Sequence, residues 1–274
     1  MRLLRPVPKL PEALRSGSLA TVLNRSVVDR RDELAVTVAL LCQRQLFGSV
    51  YYGLQPDYFW SMPPSSGVLL APVVPTACIA PGATKPGDID LLIIPYEGQS
   101  IVLDRIMAIE IKIVRATYAR QDRSPNEFGY SQAAGLSKLG FPYVALIHLV
   151  ISDASPREAW RPTSVVEILD SFGRVKQMPD IEADLMPVDL INRSYGRLLS
   201  NSQDSTLGLA AAYVGAWDRF GDELRPSSHL WIPSCRQALR HSPILDLQFL
   251  NRVGDYFDAN TKRFLNTPRH DPPR

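Results

Sequence analysis

The chain has 274 residues, 45% of them hydrophobic, which is enough for one large domain or for a core with an accessory part. Its formal net charge of +2 excludes a chain-wide basic coat, so any surface for nucleic acid must be local. The three scattered cysteines predict neither a disulfide framework nor a zinc site. No apolar run approaches the ~20 residues of a membrane span, and we expect a cytoplasmic protein without membrane contact.

The first predicted helix begins near Ser26 and ends at Gly48, after an N-terminal arm that is interrupted by prolines. Val36, Leu40 and Phe47 recur on one stripe of this helix at the spacing of a buried face. Glu33 lies on the same stripe, and a carboxylate there needs a partner. Two interpretations stay open: an ion pair with a surface arginine, or a ligand for a metal ion or a water.

Two apolar strands carry the acidic residues that dominate the chain. The first is predicted over 88–94, ended by Pro95, and the second over 101–114. Because side chains alternate along a strand, Asp88 and Asp90 share one face, and so do Glu110 and Lys112. Buried charges are costly unless they pair or bind a metal, and an oxygen-rich cluster suits a hard cation such as Mg²⁺.

A basic segment follows the second strand. Arg115, Arg120 and Arg123 leave the end of that strand and should lie beside the acidic cluster. Arginine contacts to phosphates dominate affinity for nucleic acids, so we expect these residues to bind the nucleic-acid backbone. The alternative is an ordinary solvated loop.

The next helix is predicted from an N-cap at Ser124 to an end at Gly140. Gln132 lies on its sheet-facing stripe and must be hydrogen-bonded there, to the backbone or at the site. A central strand is predicted over 143–151 because nine consecutive residues are apolar apart from His148. A single histidine in a buried strand is usually a hydrogen-bonded core residue, so we assign it no catalytic role.

Asp90, followed by Glu110, Ile111 and Lys112, resembles the motif of the PD-(D/E)xK nuclease superfamily, an acid on one strand and Glu-x-Lys on the next. The resemblance covers roughly residues 27–153. It implies that Asp90 and Glu110 are metal ligands and catalytic residues, and that Lys112 contacts the phosphate or the attacking water. Asp88 is a further candidate ligand, because the proline of the family motif is replaced by Gly87 and either aspartate could be the first acid.

The resemblance also implies two supporting residues. Glu33 matches a glutamate on the helix before the sheet, and Gln132 matches a glutamine that positions a water or a phosphate. The implied cofactor is Mg²⁺, with Mn²⁺ as a possible substitute.

The expected fold is α/β, a restriction-endonuclease-like core with a central mixed β-sheet flanked by helices. We expect residues 1–25 to form a flexible or docking arm, 26–155 the nuclease core, 156–265 a C-terminal extension packed on the core, and 266–274 a loose tail. A C-terminal helix predicted over 243–264 has an apolar stripe of Leu245, Phe249, Val253 and Phe257. This stripe either packs on the sheet or contacts another subunit.

The function expected from these residues is metal-dependent hydrolysis of phosphodiester bonds in nucleic acid, with DNA favoured over RNA. Restriction, phage defence, toxin-like and repair roles all stay open, as does a homodimer or a partner protein. The alternative from another class is a catalytically idle domain of the same fold that acts as a binding or scaffold subunit. In that case Lys112 would only form a structural ion pair with Asp90 or Glu110.

Overall fold

The computed structural model describes residues 2–13, 33–83, 86–215, 217–220, 223–226, 231–242 and 244–270. Within these ranges the helices are, in chain order, α1 (Glu33–Cys42), α2 (Arg44–Leu54), α3 (Pro56–Ser61), α4 (Tyr130–Leu139), α5 (Met186–Asn201) and α6 (Leu247–Ala259). The strands are β1 (Leu4–Pro6), β2 (Ser66–Pro75), β3 (Asp88–Glu97), β4 (Ser100–Val102), β5 (Met107–Arg115), β6 (Tyr143–Ile151), β7 (Arg161–Thr163), β8 (Val166–Ile168), β9 (Val175–Gln177), β10 (Ile181–Ala183), β11 (Gly208–Tyr213), β12 (Trp217–Phe220), β13 (Glu223–Pro226), β14 (Ser234–Arg236) and β15 (Leu265–Pro268).

A nine-stranded mixed sheet forms the centre of the fold and confirms the expected α/β class. Its order is β1-β4-β3-β5-β6-β11-β14, with β2 on the other edge of β3 and β15 on β2. The β5–β6 and β6–β11 pairs are parallel, and the remaining pairs of this sheet are antiparallel. The strand predicted over 143–151 is β6, and all nine of its residues are buried because both faces of the sheet are covered.

Helices cover both faces of the sheet, so side chains of alternating strand positions enter two separate cores. On one face, α1 and α2 pack against odd-numbered positions of β5 such as Ile109 and Ile111. On the other face, α4 and α6 pack against Ala108 and against Leu146 of β6. The helix α5 packs on this second face, near the ends of β5 and β6. Glu110 and Lys112 have the parity of Ala108 and therefore lie on the second face.

The first helix differs from its prediction. Its expected start at Ser26 lies outside the described residues, and Gly48 does not end it. Instead the helix breaks at Gln43, and α2 continues at an angle of 95° to α1. Gly48 lies inside α2, whose apolar residues on both sides of it are buried. No single described helix is long and apolar enough to cross a membrane.

Three further boundaries were predicted wrongly. Pro95 does not end β3: it pairs with Val68 of β2, and on the other edge of β3 it lies between the stretches that pair with β5 and with β4. The second acidic strand is split into β4 and β5, and buried Asp104 between them accepts the Leu3 N–H at 2.8 Å. The helix predicted from Ser124 begins only at Tyr130.

The second half of the chain contributes to the same sheet through β11, β14 and β15. Residues 266–268, expected at the start of a loose tail, form β15 together with Leu265, and residues 4–6 of the expected arm form β1. The apolar stripe of the C-terminal helix is buried on the sheet rather than available to another subunit, since Phe249, Val253 and Phe257 of α6 are fully buried.

Candidate functional site

The antiparallel pairing of β3 and β5 brings Asp90 next to Glu110. Backbone pairing between the strands stops at Leu91 and Ile109, so the next position places the two acidic residues opposite each other. Beyond that point, the N–H group of Ile111 donates to Asp90 Oδ2 at 2.7 Å. The Asp90 side chain thus takes the place of a ladder partner where the two strands separate, which fixes its carboxylate beside β5.

The two carboxyl groups lie close enough for each to affect the pKa of the other. Burial raises the pKa of Glu110 to about 7, and the neighbouring Asp90 charge adds to this effect. Burial also raises the pKa of Asp90, but the hydrogen bond from the Ile111 N–H and the Lys112 charge oppose the rise. Glu110, which is buried where Asp90 is only half-buried, therefore binds its proton more tightly than an ordinary glutamate.

Lys112 completes the cluster from the same face of β5. Its Nζ lies 2.8 Å from Glu110 Oε1, and 16% of its side chain is exposed, against 1% of that of Glu110. Burial lowers the pKa of Lys112, but the hydrogen bond with Glu110 and the charges of Glu110, Glu33 and Asp90 together raise it above its ordinary value. Lys112 is thus a permanent cation with one side open to solvent.

Two other predicted acids lie near this cluster. Glu33 occupies the first turn of α1, where it is half-buried, and its charge raises the pKa values of Glu110 and Lys112. Asp88 is exposed, and its charge raises the pKa of Asp90. The structure thus brings four predicted carboxylates and Lys112 into one electrostatic cluster, in which Lys112 contacts Glu110 and Asp90 lies opposite Glu110.

The segment before α4 covers Glu110 and Lys112. Gly129 has a φ of 92°, and a Cβ added to it would lie 3.2 Å from Glu110 Cγ and 3.3 Å from Lys112 Cγ. It would also lie 2.7 Å from Leu146 Cδ1, closer than carbon atoms can approach. Only glycine therefore fits this backbone position. The sequence prediction missed Gly129 because it placed the residue inside a helix, although a glycine within a helix is itself a signal against one.

Gln132 lies on the first turn of α4, as predicted, and is half-buried. Its Oε1 atom is buried without a hydrogen-bond partner among the described residues. The backbone partner that the sequence analysis considered for this oxygen is therefore not found in that part of the chain. A buried acceptor without a partner is costly, and a water or a bound group would satisfy it.

The predicted phosphate-binding arginines are exposed and lie outside the buried cluster. Arg115 ends β5, and Arg120 and Arg123 follow in the loop that leads to Gly129. This loop is tied to β6 because the Tyr118 N–H donates to Asp153 Oδ1 at 2.7 Å. The three arginines thus precede, in the chain, the segment that covers Glu110 and Lys112.

The donor set at this site fits a hard divalent cation. Among the described residues, no three His, Cys, Asp or Glu side chains are arranged as a ready-made metal site. Mg²⁺, however, is usually bound through only one or two carboxylates, together with waters and substrate oxygens. Asp90 and Glu110 supply two adjacent carboxyl groups, and a divalent cation would relieve the repulsion that raises the pKa of Glu110.

Comparisons of the chain with protein-family models, with curated proteins and with solved structures found no match. Membership of the PD-(D/E)xK superfamily therefore stays a prediction from Asp90, Glu110 and Lys112. The geometry of these three residues is the basis on which a function is proposed.

Proposed function

We propose that the chain is a metal-dependent nuclease that hydrolyses phosphodiester bonds, with DNA favoured over RNA. One observation carries the proposal: Asp90, Glu110 and Lys112 meet where β3 and β5 separate, with Lys112 Nζ 2.8 Å from Glu110 Oε1 and Asp90 Oδ2 bound by the N–H of Ile111, the residue between them. Hydrolysis of a phosphodiester needs positive charge at the phosphate and an activated water. A pair of carboxylates beside an ammonium group provides ligands for a cation and one fixed positive charge.

Asp90 and Glu110 would hold the cation, with Asp88 as a further ligand near the surface. Mg²⁺, or Mn²⁺ in its place, supplies polarisation of the phosphate and a lower pKa of its bound water. Glu110 is a ligand only in its ionised form, and its pKa of about 7 means that proton and cation compete at neutral pH.

Lys112 has the role of a fixed cation rather than a base, because its raised pKa keeps it protonated. An ammonium group is a compact charge that suits contact with a phosphate oxygen or with the attacking water. The exposed Arg115, Arg120 and Arg123 would contact phosphates along the backbone of the substrate.

A purely structural ion pair is the competing interpretation of the Lys112–Glu110 contact. Such a pair is expected to lower the pKa of its carboxyl group, because the charged form gains from the partner. Here the pKa of Glu110 is raised in spite of Lys112, so the buried charges cost stability at neutral pH. A carboxyl group whose pKa is raised by burial and by a neighbouring like charge is a candidate functional residue, which supports the nuclease proposal.

The proposal is tested with a substrate panel. The full chain is incubated with supercoiled plasmid, linear duplex DNA and RNA of the same sequence, in Mg²⁺, in Mn²⁺ and in EDTA. We expect cleavage of DNA in either metal and none in EDTA or with Glu110→Gln. Cleavage that persists in EDTA, or that is equal in Glu110→Gln, would exclude this site as the source of the activity.

A further inference from the structure

The covering segment 124–129, which ends at Gly129, is held in place by α5, a helix from outside the region of the predicted nuclease motif. Arg197 Nη1 of α5 donates to the Arg123 carbonyl at 2.7 Å and to Ser124 Oγ at 2.8 Å. The Tyr130 hydroxyl donates to the carbonyl of Leu198, also in α5, at 2.6 Å. Ser124 Oγ is thus bound by α5 and does not cap α4, which begins at Tyr130 after Gly129.

A third connection passes through a buried histidine of β6. His148 Nε2 lies 3.3 Å from the Phe128 carbonyl, and His148 Nδ1 lies 3.0 Å from Ser194 Oγ of α5. A carbonyl oxygen only accepts, so Nε2 carries the proton and Nδ1 accepts from the Ser194 hydroxyl. Burial lowers the pKa of His148 to about 4, so this neutral form is kept at physiological pH.

The position of this connection relates it to the proposed site. In the parallel ladder of β5 and β6, Lys112 pairs with His148, so the two side chains are neighbours on the same face. The histidine holds the carbonyl of Phe128, the residue directly before Gly129. His148 therefore fixes the backbone at Gly129, which packs against the side chains of Glu110 and Lys112.

We propose that His148 and Ser194 are positioning residues, a buried relay through which α5 holds segment 124–129 against Glu110 and Lys112. Its effect on turnover rests on the proposed nuclease function, whereas its effect on the covering segment does not. Held in this way, the Glu110 and Lys112 side chains are pre-organised, and small losses of such alignment are costly in catalysis.

A matched pair of variants separates the relay from ordinary core packing. In His148→Gln the amide nitrogen takes the place of Nε2 and can still donate to the Phe128 carbonyl. In His148→Asn the shorter amide takes the place of Nδ1, so it can contact Ser194 but not Phe128. Both variants introduce a neutral amide into the same buried position of β6.

Two readouts that need no nuclease activity are hydrogen exchange of the Ala133 amide, which donates to the Gly129 carbonyl at 2.9 Å, and the rate at which an N-hydroxysuccinimide ester acylates Lys112. We expect His148→Asn to accelerate exchange about tenfold, as for loss of one buried hydrogen bond, and to accelerate acylation as well. His148→Gln should stay within about threefold of the wild type. Equal behaviour of the two variants, or no change in His148→Asn, overturns the relay.

Kinetics add the functional readout. His148→Asn should lower kcat about tenfold or more with KM nearly unchanged, and His148→Gln should restore most of kcat. A rise in KM with unchanged kcat contradicts the positioning role. If the wild type cleaves no nucleic acid, the proposed function fails, while exchange and acylation still decide the relay. If His148→Asn does not fold, Ser194→Ala removes the outer end of the relay and should accelerate exchange in the same direction.

Discussion

At the scale of single residues, the site is defined by a buried carboxyl group that favours its proton. Glu110 is almost fully buried and lies beside Asp90, so both burial and like charge oppose its ionisation. Lys112 compensates only in part. The folded protein therefore binds a proton at Glu110 more tightly than the unfolded chain does.

This difference predicts how stability depends on pH. Because the pKa of Glu110 rises from 4.5 to about 7 on folding, the associated stability is fully present below about pH 4.5 and is lost as pH rises to about 7. The raised pKa of Asp90 acts in the same direction. Glu110→Gln cannot titrate. In metal-free buffer its free energy of unfolding should therefore rise relative to that of the wild type between pH 5 and 7.5, by up to about 3 kcal/mol.

Thermal melts of both proteins across this pH range provide the measurement. The exposed Glu167 on β8 offers a matched control, and the melting temperature of Glu167→Gln should follow that of the wild type at every pH. Parallel curves for Glu110→Gln and the wild type would show that the Glu110 carboxyl has no raised pKa.

Gly129→Ala should disturb the site by displacing the segment that covers Glu110 and Lys112. The added methyl group would lie 2.7 Å from Leu146, and the alanine would have to adopt the φ of 92° of Gly129. We therefore expect the free energy of unfolding to fall by about 2–4 kcal/mol. Gly173→Ala is the control, since Gly173 also has a positive φ, 83°, but no atom within 4 Å of an added Cβ. It should cost only about 1–2 kcal/mol. Chemical denaturation of both variants gives the comparison, and equal losses would mean that Gly129 does not pack on the site.

Lys112→Ala should separate turnover from binding. The ammonium group touches Glu110 at the site, whereas the exposed arginines lie on the following loop. We therefore expect kcat to fall about a hundredfold or more while the Kd for DNA changes less than threefold. A variant that binds DNA much more weakly but turns over normally would place Lys112 in the binding surface instead.

At the scale of secondary-structure elements, the loop after β5 joins the surface to the site. It carries Arg120 and Arg123 on the exposed side and leads into the segment that covers Glu110. Substrate phosphates bound by these arginines would therefore lie on the loop that is continuous with the site cover.

The double substitution of Arg120→Ala and Arg123→Ala should weaken DNA binding through lost phosphate contacts. The slope of log K against log salt should shrink by about 2, since each contact contributes about 0.9. Lys262→Ala with Arg263→Ala removes the same charge from two exposed residues after α6 and should leave the slope unchanged. The measurement is a filter-binding or anisotropy titration at several salt concentrations with EDTA present. An identical slope in both double variants would exclude the loop from the DNA surface.

The elements that could be predicted from sequence are those with strong periodic or continuous patterns. The strand β6 matches its prediction because nine apolar residues in succession leave no other interpretation. The pairing of the two acidic strands was predicted from the turn between them. The positions of Glu33 and Lys112 near the acidic pair were predicted from residue spacing. The role of Ser124 could not be predicted, because its hydroxyl is bound by Arg197, which is 73 positions away, and does not cap α4. Gly129 and the relay through His148 depend on the same long-range packing.

At the scale of the whole molecule, the predicted nuclease region does not stand alone. Its sheet continues through β11 and β14, and the helix α5 from the second half ties down the loop beside the site. The N-terminal β1 adds to β4 at the opposite edge, where Arg5 bonds Asp255 and Asp258 of α6. Truncation after residue 155 should therefore remove the covering contacts of the site, and not only a peripheral extension.

The central claim is that Asp90 and Glu110 form the metal-dependent hydrolytic site, and single-turnover cleavage of a labelled DNA duplex tests it most directly. The chain is used in excess over DNA at pH 8 in Mn²⁺, so that weaker binding does not limit the rate. We expect Asp90→Asn and Glu110→Gln each to lower the rate by about a thousandfold, while both variants stay folded and Glu167→Gln cleaves like the wild type. A wild-type rate in either site variant would contradict the claim.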